Sequence, residues 1–151
     1  TFEECGVLLA VPNPEEDVQD LRERAFAEVL GHLRVRPATE ALHVFAHWVT
    51  PEVETRRFDT RFYAAALPPG QDLRELTGEH QAIGWFRPQD AHGLPMLPPT
   101  AAALAELAKH DSVAHILAVP RKPVPIMPRP VAAGDGDVAW VLVNAETGEP
   151  L

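Results

Sequence analysis

Proline limits how this chain folds more than any other residue, because sixteen of its 151 residues are prolines and they recur along most of its length. Proline fixes its own φ angle, donates no backbone hydrogen bond and disfavours helix in the preceding residue. Glycine is less frequent, with nine residues. This pattern predicts many rigid turns rather than disorder. It also predicts edge strands or extended segments from Pro120 to Pro130.

The segment that ends at Pro37 predicts an inserted amphipathic helix over about residues 14–36. Asn13 is a typical capping residue, Pro14 suits the first helical position, and acidic residues follow in the first turn. Apolar residues recur at helical spacing and form one stripe: Val18, Leu21, Ala25, Val29 and Leu33. The expected role of this helix is packing rather than chemistry.

The remaining segments predict an alternation of strands and a second helix. Residues 41–50 and 60–67 are rich in β-branched and aromatic residues and are stopped by prolines, which predicts two paired strands. Further strands are expected around residues 81–86 and 138–143. A helix over residues 101–110 is expected to begin at the cap Thr100.

Composition limits the class of protein and its partners. The length suits one domain, predicted over residues 1–151. The net charge of −9 argues against a protein that binds the phosphate backbone of nucleic acids. No apolar run has the length of a membrane span. The single cysteine, Cys5, excludes an internal disulfide framework and fits a reducing compartment. We therefore expect a cytoplasmic protein without nucleic-acid or membrane partners, and a homodimer stays open.

The first seven residues contain paired carboxylates, Glu3 and Glu4, followed two residues later by Gly6. On a helix, an acid three or four residues upstream would share a face with both. Such a cluster repels itself, but a divalent cation reverses that cost, because carboxylate oxygens suit Mg²⁺. Gly6 is expected to end the helix in the left-handed conformation. The alternative is a solvated helix end without chemistry.

This opening resembles the end of the Nudix box, G-x5-E-x7-R-E-U-x-E-E-x-G-U, where U is a bulky aliphatic residue. Thr1 stands at the U position that precedes the paired acids, Gly6 at the last glycine of the motif and Val7 at the closing aliphatic position. The Arg-Glu pair, the earlier Glu and the first Gly of the motif would lie before Thr1. We therefore expect a chain that is incomplete at its N-terminus and begins inside the motif helix.

Three later segments are similar to one branch of the Nudix family, the coenzyme A and acyl-coenzyme A diphosphatases. Residues 47–62 resemble its W-x-T-P … R-R-F-D-T-R-F segment. Glu79 stands six residues before Trp85, a spacing similar to that of the family's late catalytic or metal-binding Glu. Residues 94–100 resemble the L-P-P-T start of a helix. The matches follow the family's order from Thr1 to about Ala108.

The resemblance implies an α/β fold of the α+β kind, the Nudix α/β/α sandwich around a mixed sheet, of which this chain would hold a part. It also implies a hydrolase that uses Mg²⁺ or Mn²⁺ to cleave a diphosphate linkage in a small nucleoside diphosphate derivative. Coenzyme A or acyl-coenzyme A is the first candidate substrate, and ADP-ribose or another ADP-containing diphosphate is the alternative. A non-catalytic binding or regulatory module and an inactive fragment also stay open.

The same resemblance implies that Glu3 and Glu4 are the metal ligands and that Glu4 and Glu79 are the catalytic acids. Side-chain chemistry adds the expected substrate-binding residues, because arginines are forked donors for phosphates and an aromatic ring can flank an adenine: Arg56, Arg57, Phe58 and Arg61. The alternatives are a surface loop acid at Glu79, core packing of Phe58 and salt bridges from the arginines to Glu52, Glu54 and Asp59. His43 and His47 share a strand face and are expected to be packing or surface residues.

Overall fold

The computed structural model describes residues 1–73, 83–135 and 137–151. Its helices are α1 (Phe2–Cys5), α2 (Phe26–Leu33), α3 (Pro98–Leu107) and α4 (Val113–Ala118), with short 3₁₀ turns at Gln19–Leu21, Thr39–Ala41 and Pro88–Gly93. Its strands are β1 (Ala10–Val11), β2 (Arg36–Pro37), β3 (His43–Val49), β4 (Asp59–Ala64), β5 (Pro125–Gly134) and β6 (Asp137–Asn144). None of the helices in the described ranges is long and apolar enough to cross a membrane.

The chain belongs to the α+β class and contains a mixed sheet, as predicted. Four strands follow the order β4-β3-β5-β6, and β1 pairs separately with β2. Strand β3 is antiparallel to β4 and parallel to β5, while β5 is antiparallel to β6. A parallel pair needs a crossover, and the chain between β3 and β5 includes α3 and α4. The α/β/α sandwich stays a prediction.

Two compact units are distinguished, and each is described by itself. The first consists of Thr1–Leu42 and Ala65–Arg87, and the second of His43–Ala64 and Pro88–Leu151. The first unit holds α1, α2, β1 and β2, while the second holds the four-stranded sheet, α3 and α4. The prediction of one domain over residues 1–151 stays a prediction.

The core of the first unit joins α1, β1, the turn Gln19–Leu21 and α2. Its buried members are Phe2, Leu8, Ala10, Val18, Leu21 and Val29. Of the apolar stripe predicted for the helix over residues 14–36, Val18, Leu21 and Val29 are buried in this core and Leu33 packs against it, whereas Ala25 is exposed. The backbone is not one helix, however, because an extended Ala25, with ψ of 134°, separates the turn from α2.

Side-chain contacts explain why the predicted helix is divided into a short turn and α2. Asn13 does not cap a helix: its Nδ2 donates to the carbonyl of Pro69 at 2.9 Å. The Asp17 carboxylate accepts from the backbone N–H of Gln19 at 3.0 Å, and Gln19 Nε2 donates to the carbonyl of Gly6 at 3.2 Å. These bonds favour a short turn at Gln19–Leu21, where local propensity alone favours a longer helix.

The second unit contains the predicted hairpin of β3 and β4. His47 faces Arg61, and Val49 faces Asp59 across the antiparallel pair, with an irregularity between Val44 and Ala46. The buried apolar residues of this unit include Phe45, Trp48, Ala103, Met127 and Val143.

Strand β5 contains Pro128 and Pro130, which led us to expect an edge strand. It is instead an inner strand at its start, since Pro125 and Ile126 pair with β3. Beyond Ile126, β6 is its only paired neighbour among the described strands. Residues two apart direct their backbone groups to the same edge, so these two prolines remove donors from one edge of β5 and leave the other edge intact.

Helix α3 begins earlier than predicted, at Pro98, with Leu97 at the cap position. Thr100 lies inside the first turn, so its prediction as the cap was wrong. The physical reason is that the first helical N–H groups have no partner inside the helix, and prolines fill those positions without loss.

Arg121 contacts both α3 and the four-stranded sheet. Its guanidinium lies 4.4 Å from the ring centroid of Phe45 on β3 and 3.5 Å from Glu106 on α3. Lys109 also pairs with Glu106, and this hydrogen bond holds the pKa of the Glu106 carboxyl below its usual range.

Candidate functional site

The paired acids Glu3 and Glu4 are exposed on α1, and the helix ends where the sequence predicted. Gly6 has φ of 75°, which is left-handed, and its N–H donates to the carbonyl of Phe2 at 2.9 Å. Phe2 is buried and packs beside Phe26 of α2, with ring centroids 6.2 Å apart. The buried ring fixes the helix, so the two carboxylates lie toward solvent.

Gln19 lies directly over Gly6. A side chain at position 6 would overlap the amide of Gln19, whose Nε2 lies 2.6 Å from the site of the missing Cβ. Glycine is favoured here by its left-handed backbone conformation, and a larger residue would also displace the end of the flexible Gln19 side chain. The contact connects the end of α1 to the turn Gln19–Leu21.

A cleft of about 550 Å³ lies beside this turn in the first unit. Its lining is rich in acids and consists of residues 13–19 and 69–72. Gln71 organises its wall: the side-chain oxygen accepts from Leu8 N at 2.8 Å, and Nε2 donates to Leu8 O and Asn13 Oδ1, each at 2.9 Å. Gln71 thus pairs with the Leu8 backbone as a neighbouring strand would.

The described residues hold part of a donor set for a divalent cation. Magnesium is usually bound through one or two carboxylates together with waters and substrate phosphates. Glu3 and Glu4 fit that requirement as two adjacent, exposed carboxylates. No group of three or more His, Cys, Asp or Glu side chains suited to a metal ion occurs in the described part of the chain.

The three predicted substrate arginines of the second unit have different contacts. Arg57 supports the loop between β3 and β4: its Nε donates to the carbonyl of Thr50 at 3.2 Å, and its Nη2 lies 3.7 Å from Met127 Sδ. Arg56 instead stacks on Phe58, with 5.0 Å from its Cζ to the ring centroid. Phe58 is 53% exposed, so its ring and the arginine beside it are open to solvent.

Arg61 belongs to a row of three polar side chains on the hairpin. Its Nη1 lies 3.2 Å from Asp59 Oδ1, and the same oxygen lies 2.7 Å from His47 Nε2. The salt bridge from Arg61 to Asp59, which was the alternative to substrate binding, is thus present. His47 is buried, which agrees with a packing residue, whereas His43 is exposed.

The contact from His47 to Asp59 was not predicted. The sequence did contain a signal for it. In a hairpin, an acid such as Asp59 on one strand can lie close enough to contact a residue such as His47 on the paired strand.

The predicted site residues fall into three groups. Glu3 and Glu4 lie in the first unit, while Arg56, Arg57, Phe58 and Arg61 lie together on the hairpin of the second. Glu79 lies outside the described residues. The backbone at 83–87 is irregular, so the described part of the strand predicted at 81–86 does not form. There, Trp85 Nε1 donates to Asp72 Oδ1 at 3.0 Å.

The chain is similar to two curated proteins over part of its length. Acyl-coenzyme A diphosphatase NUDT19 of Xenopus laevis is 28% identical over 139 residues, which cover 71% of this chain and 37% of the relative. The protein of the same name from Homo sapiens is 32% identical over 117 residues, covering 60% of this chain and 30% of the relative. The chain thus spans about a third of the length of these relatives.

No family model matches the chain, and no solved structure matches it. The similarity is therefore partial. The two relatives are named acyl-coenzyme A diphosphatases, which is also the branch whose motifs the sequence resembles.

Proposed function

We propose that the protein is a metal-dependent hydrolase of the Nudix type that cleaves a diphosphate linkage, with coenzyme A or an acyl-coenzyme A as its substrate. The observation that carries this proposal is the similarity to two proteins named acyl-coenzyme A diphosphatase, at 28% and 32% identity. The motif segments of the sequence support the same assignment.

In this proposal the two exposed acids of α1, Glu3 and Glu4, hold part of the site for Mg²⁺ or Mn²⁺. A divalent cation there would polarise the diphosphate and favour attack of water at phosphorus. The left-handed Gly6 and the buried Phe2 support this role, because they orient both carboxylates toward solvent. Glu79 assists as a base or as a ligand.

The hairpin supplies the substrate-binding groups. Arg56 and Phe58 offer an exposed cation beside an exposed ring, which suits a phosphate next to an adenine base. Arg61 offers a forked donor for a non-reacting phosphate. Arg57, whose contacts are within the unit, contributes by shaping the loop that carries Arg56.

The test is the substitution Glu4→Gln in the full-length protein, which keeps the size of the side chain and removes its charge. We expect turnover of coenzyme A with Mg²⁺ to fall at least about 100-fold while the fold is retained. Glu23→Gln, at another exposed acid of the same unit, is the matched control and should retain activity. Near-normal turnover by Glu4→Gln would overturn the assignment.

A hydrolase of ADP-ribose or another ADP-containing diphosphate is the second candidate, because the proposed contacts recognise an adenine and phosphates rather than a pantetheine arm. A substrate panel of coenzyme A, ADP-ribose and diadenosine polyphosphates, each with Mg²⁺ and Mn²⁺, separates the two. The non-catalytic module would be favoured if this panel gave binding without turnover.

A further inference from the structure

Asp59 holds a different position from the other acids of the hairpin, because one of its oxygens joins a buried histidine to an exposed arginine. The His47 side chain is 11% exposed, whereas those of Asp59 and Arg61 are 56% and 51% exposed. Both contacts use Oδ1, at 2.7 Å to His47 Nε2 and 3.2 Å to Arg61 Nη1. The carboxylate of Asp59 is therefore held by the buried His47 and is also bonded to the exposed Arg61.

The contact sets the donor and the acceptor of this hydrogen bond. A carboxylate oxygen accepts hydrogen bonds, so we assign the N–H to Nε2 of His47, which donates to Asp59 Oδ1. That donation compensates part of the negative charge of Asp59. The carboxylate can then hold Arg61 without presenting its full charge to an anion bound nearby.

Stability alone does not account for the contact between Asp59 and Arg61. Exposed ion pairs contribute little to folding, because water and salt screen them and two long side chains lose freedom. The contact does restrict the arginine. One of its five N–H donors is used by Asp59, and within residues 1–73, 83–135 and 137–151 the others have no partner and can bind a forked acceptor such as a phosphate. An arginine that is already oriented loses less entropy when it binds.

We propose that Asp59 is a positioning residue that, anchored by His47, orients Arg61 toward a phosphate of the substrate. The inference rests on the proposed function, since it concerns an arginine assigned there to substrate. It adds two residues, Asp59 and His47, that act on the substrate only through Arg61. Their effect belongs to binding and not to the bond-breaking step.

The experiment compares the full-length protein with Asp59→Asn, Asp59→Glu and Glu40→Gln. The last variant is the matched control, because Glu40 forms an exposed ion pair with Arg36 in the first unit. For Asp59→Asn we expect the KM for coenzyme A to rise about 3- to 10-fold with kcat and Tm unchanged. Asp59→Glu should restore part of the loss, and Glu40→Gln should change neither KM nor kcat.

A second measurement reads the contact directly, by NMR of the Arg61 guanidinium in the absence of substrate. Its motion should be restricted in the wild-type protein and released in Asp59→Asn. An active enzyme in which Asp59→Asn leaves KM unchanged would overturn this inference alone. A parallel rise in KM for Glu40→Gln would overturn it too, because the effect would then be one of general charge. A wild-type protein that neither binds ADP nor cleaves coenzyme A would overturn the proposed function first.

Discussion

Single residues decide how the acids of α1 are presented. The left-handed glycine at the helix end could be predicted from Glu-Glu-x-Gly alone, because it depends only on the backbone conformation of one residue. The amide of Gln19 over that glycine could not be predicted, since thirteen positions separate Gly6 from Gln19 and only folding brings them together.

Replacement of Gly6 by alanine tests this residue. The new side chain would combine an unfavourable backbone conformation with displacement of Gln19, so we expect a loss of about 1–3 kcal/mol in the free energy of unfolding. Gly31→Ala is the matched control: in α2, an added Cβ would meet no described atom within 4 Å apart from its chain neighbours and the backbone of its own helix, and alanine there should be neutral or stabilising. Denaturant unfolding measures both variants. Equal stabilities of the two would contradict the requirement for glycine at position 6.

The ion pair of Arg36 and Glu40 gives a prediction for pH. Two hydrogen bonds join the side chains at 2.8 and 2.9 Å, and the Arg36 guanidinium lowers the pKa of Glu40 to about 2. The pair is therefore complete above the ordinary value of 4.5 and is lost as the pH falls through about 2. A ¹³C NMR titration of the carboxyl carbon should show this midpoint, and Arg36→Gln should return it toward the ordinary value. An unshifted midpoint in the wild-type protein would show that the pair does not persist in solution.

Elements were predicted best where a strand or helix has a local stop signal. The hairpin of β3 and β4 was predicted from aromatic and β-branched residues ended by Pro51, and it forms close to the expected limits. The helix over residues 14–36 was predicted from an equally regular apolar stripe. It is divided, because a turn followed by α2 already buries the core residues Val18, Leu21 and Val29.

The loop of the hairpin gives the prediction at this scale. Thr50 closes it through its backbone N–H, which donates to the carbonyl of Phe58 at 3.0 Å, and its hydroxyl, which accepts from the N–H of Phe58 at 3.0 Å. Thr50→Val keeps the shape and removes the hydroxyl, so we expect a loss of about 1 kcal/mol in the free energy of unfolding. Faster hydrogen exchange of the Phe58 amide should accompany it.

Thr50→Ser retains the hydroxyl and serves as the control for this substitution. It should leave the exchange of the Phe58 amide close to that of the wild-type protein. Slow exchange in Thr50→Val would mean that the hydroxyl does not protect this amide. The loop that carries Arg56 would then be closed by its other bonds.

At the scale of the whole chain, each unit buries apolar residues that are distant in sequence. The first gathers α1, β1 and α2 around Leu8 and Val29, and the second includes Phe45, Met127 and Val143. We therefore expect the 151-residue chain alone to unfold cooperatively in urea, with a slope of about 1–3 kcal/mol/M. Trp48, which is buried in the second unit, provides a fluorescence signal. A gradual change without a transition would favour the alternative of an incomplete fragment.

The α+β class with its mixed sheet was expected from the resemblance to a known family. The sequence by itself determined the local features of this protein: the glycine that ends α1 and the hairpin of β3 and β4. Each follows from residues close together in the chain, whose stereochemistry and periodicity act over a few positions. Only the tertiary structure decided the pairing of β3 with β5, the interruption after Leu21 and the contact of Gln19 with Gly6. These depend on which distant side chains meet, and burial and hydrogen bonding across the fold select those partners.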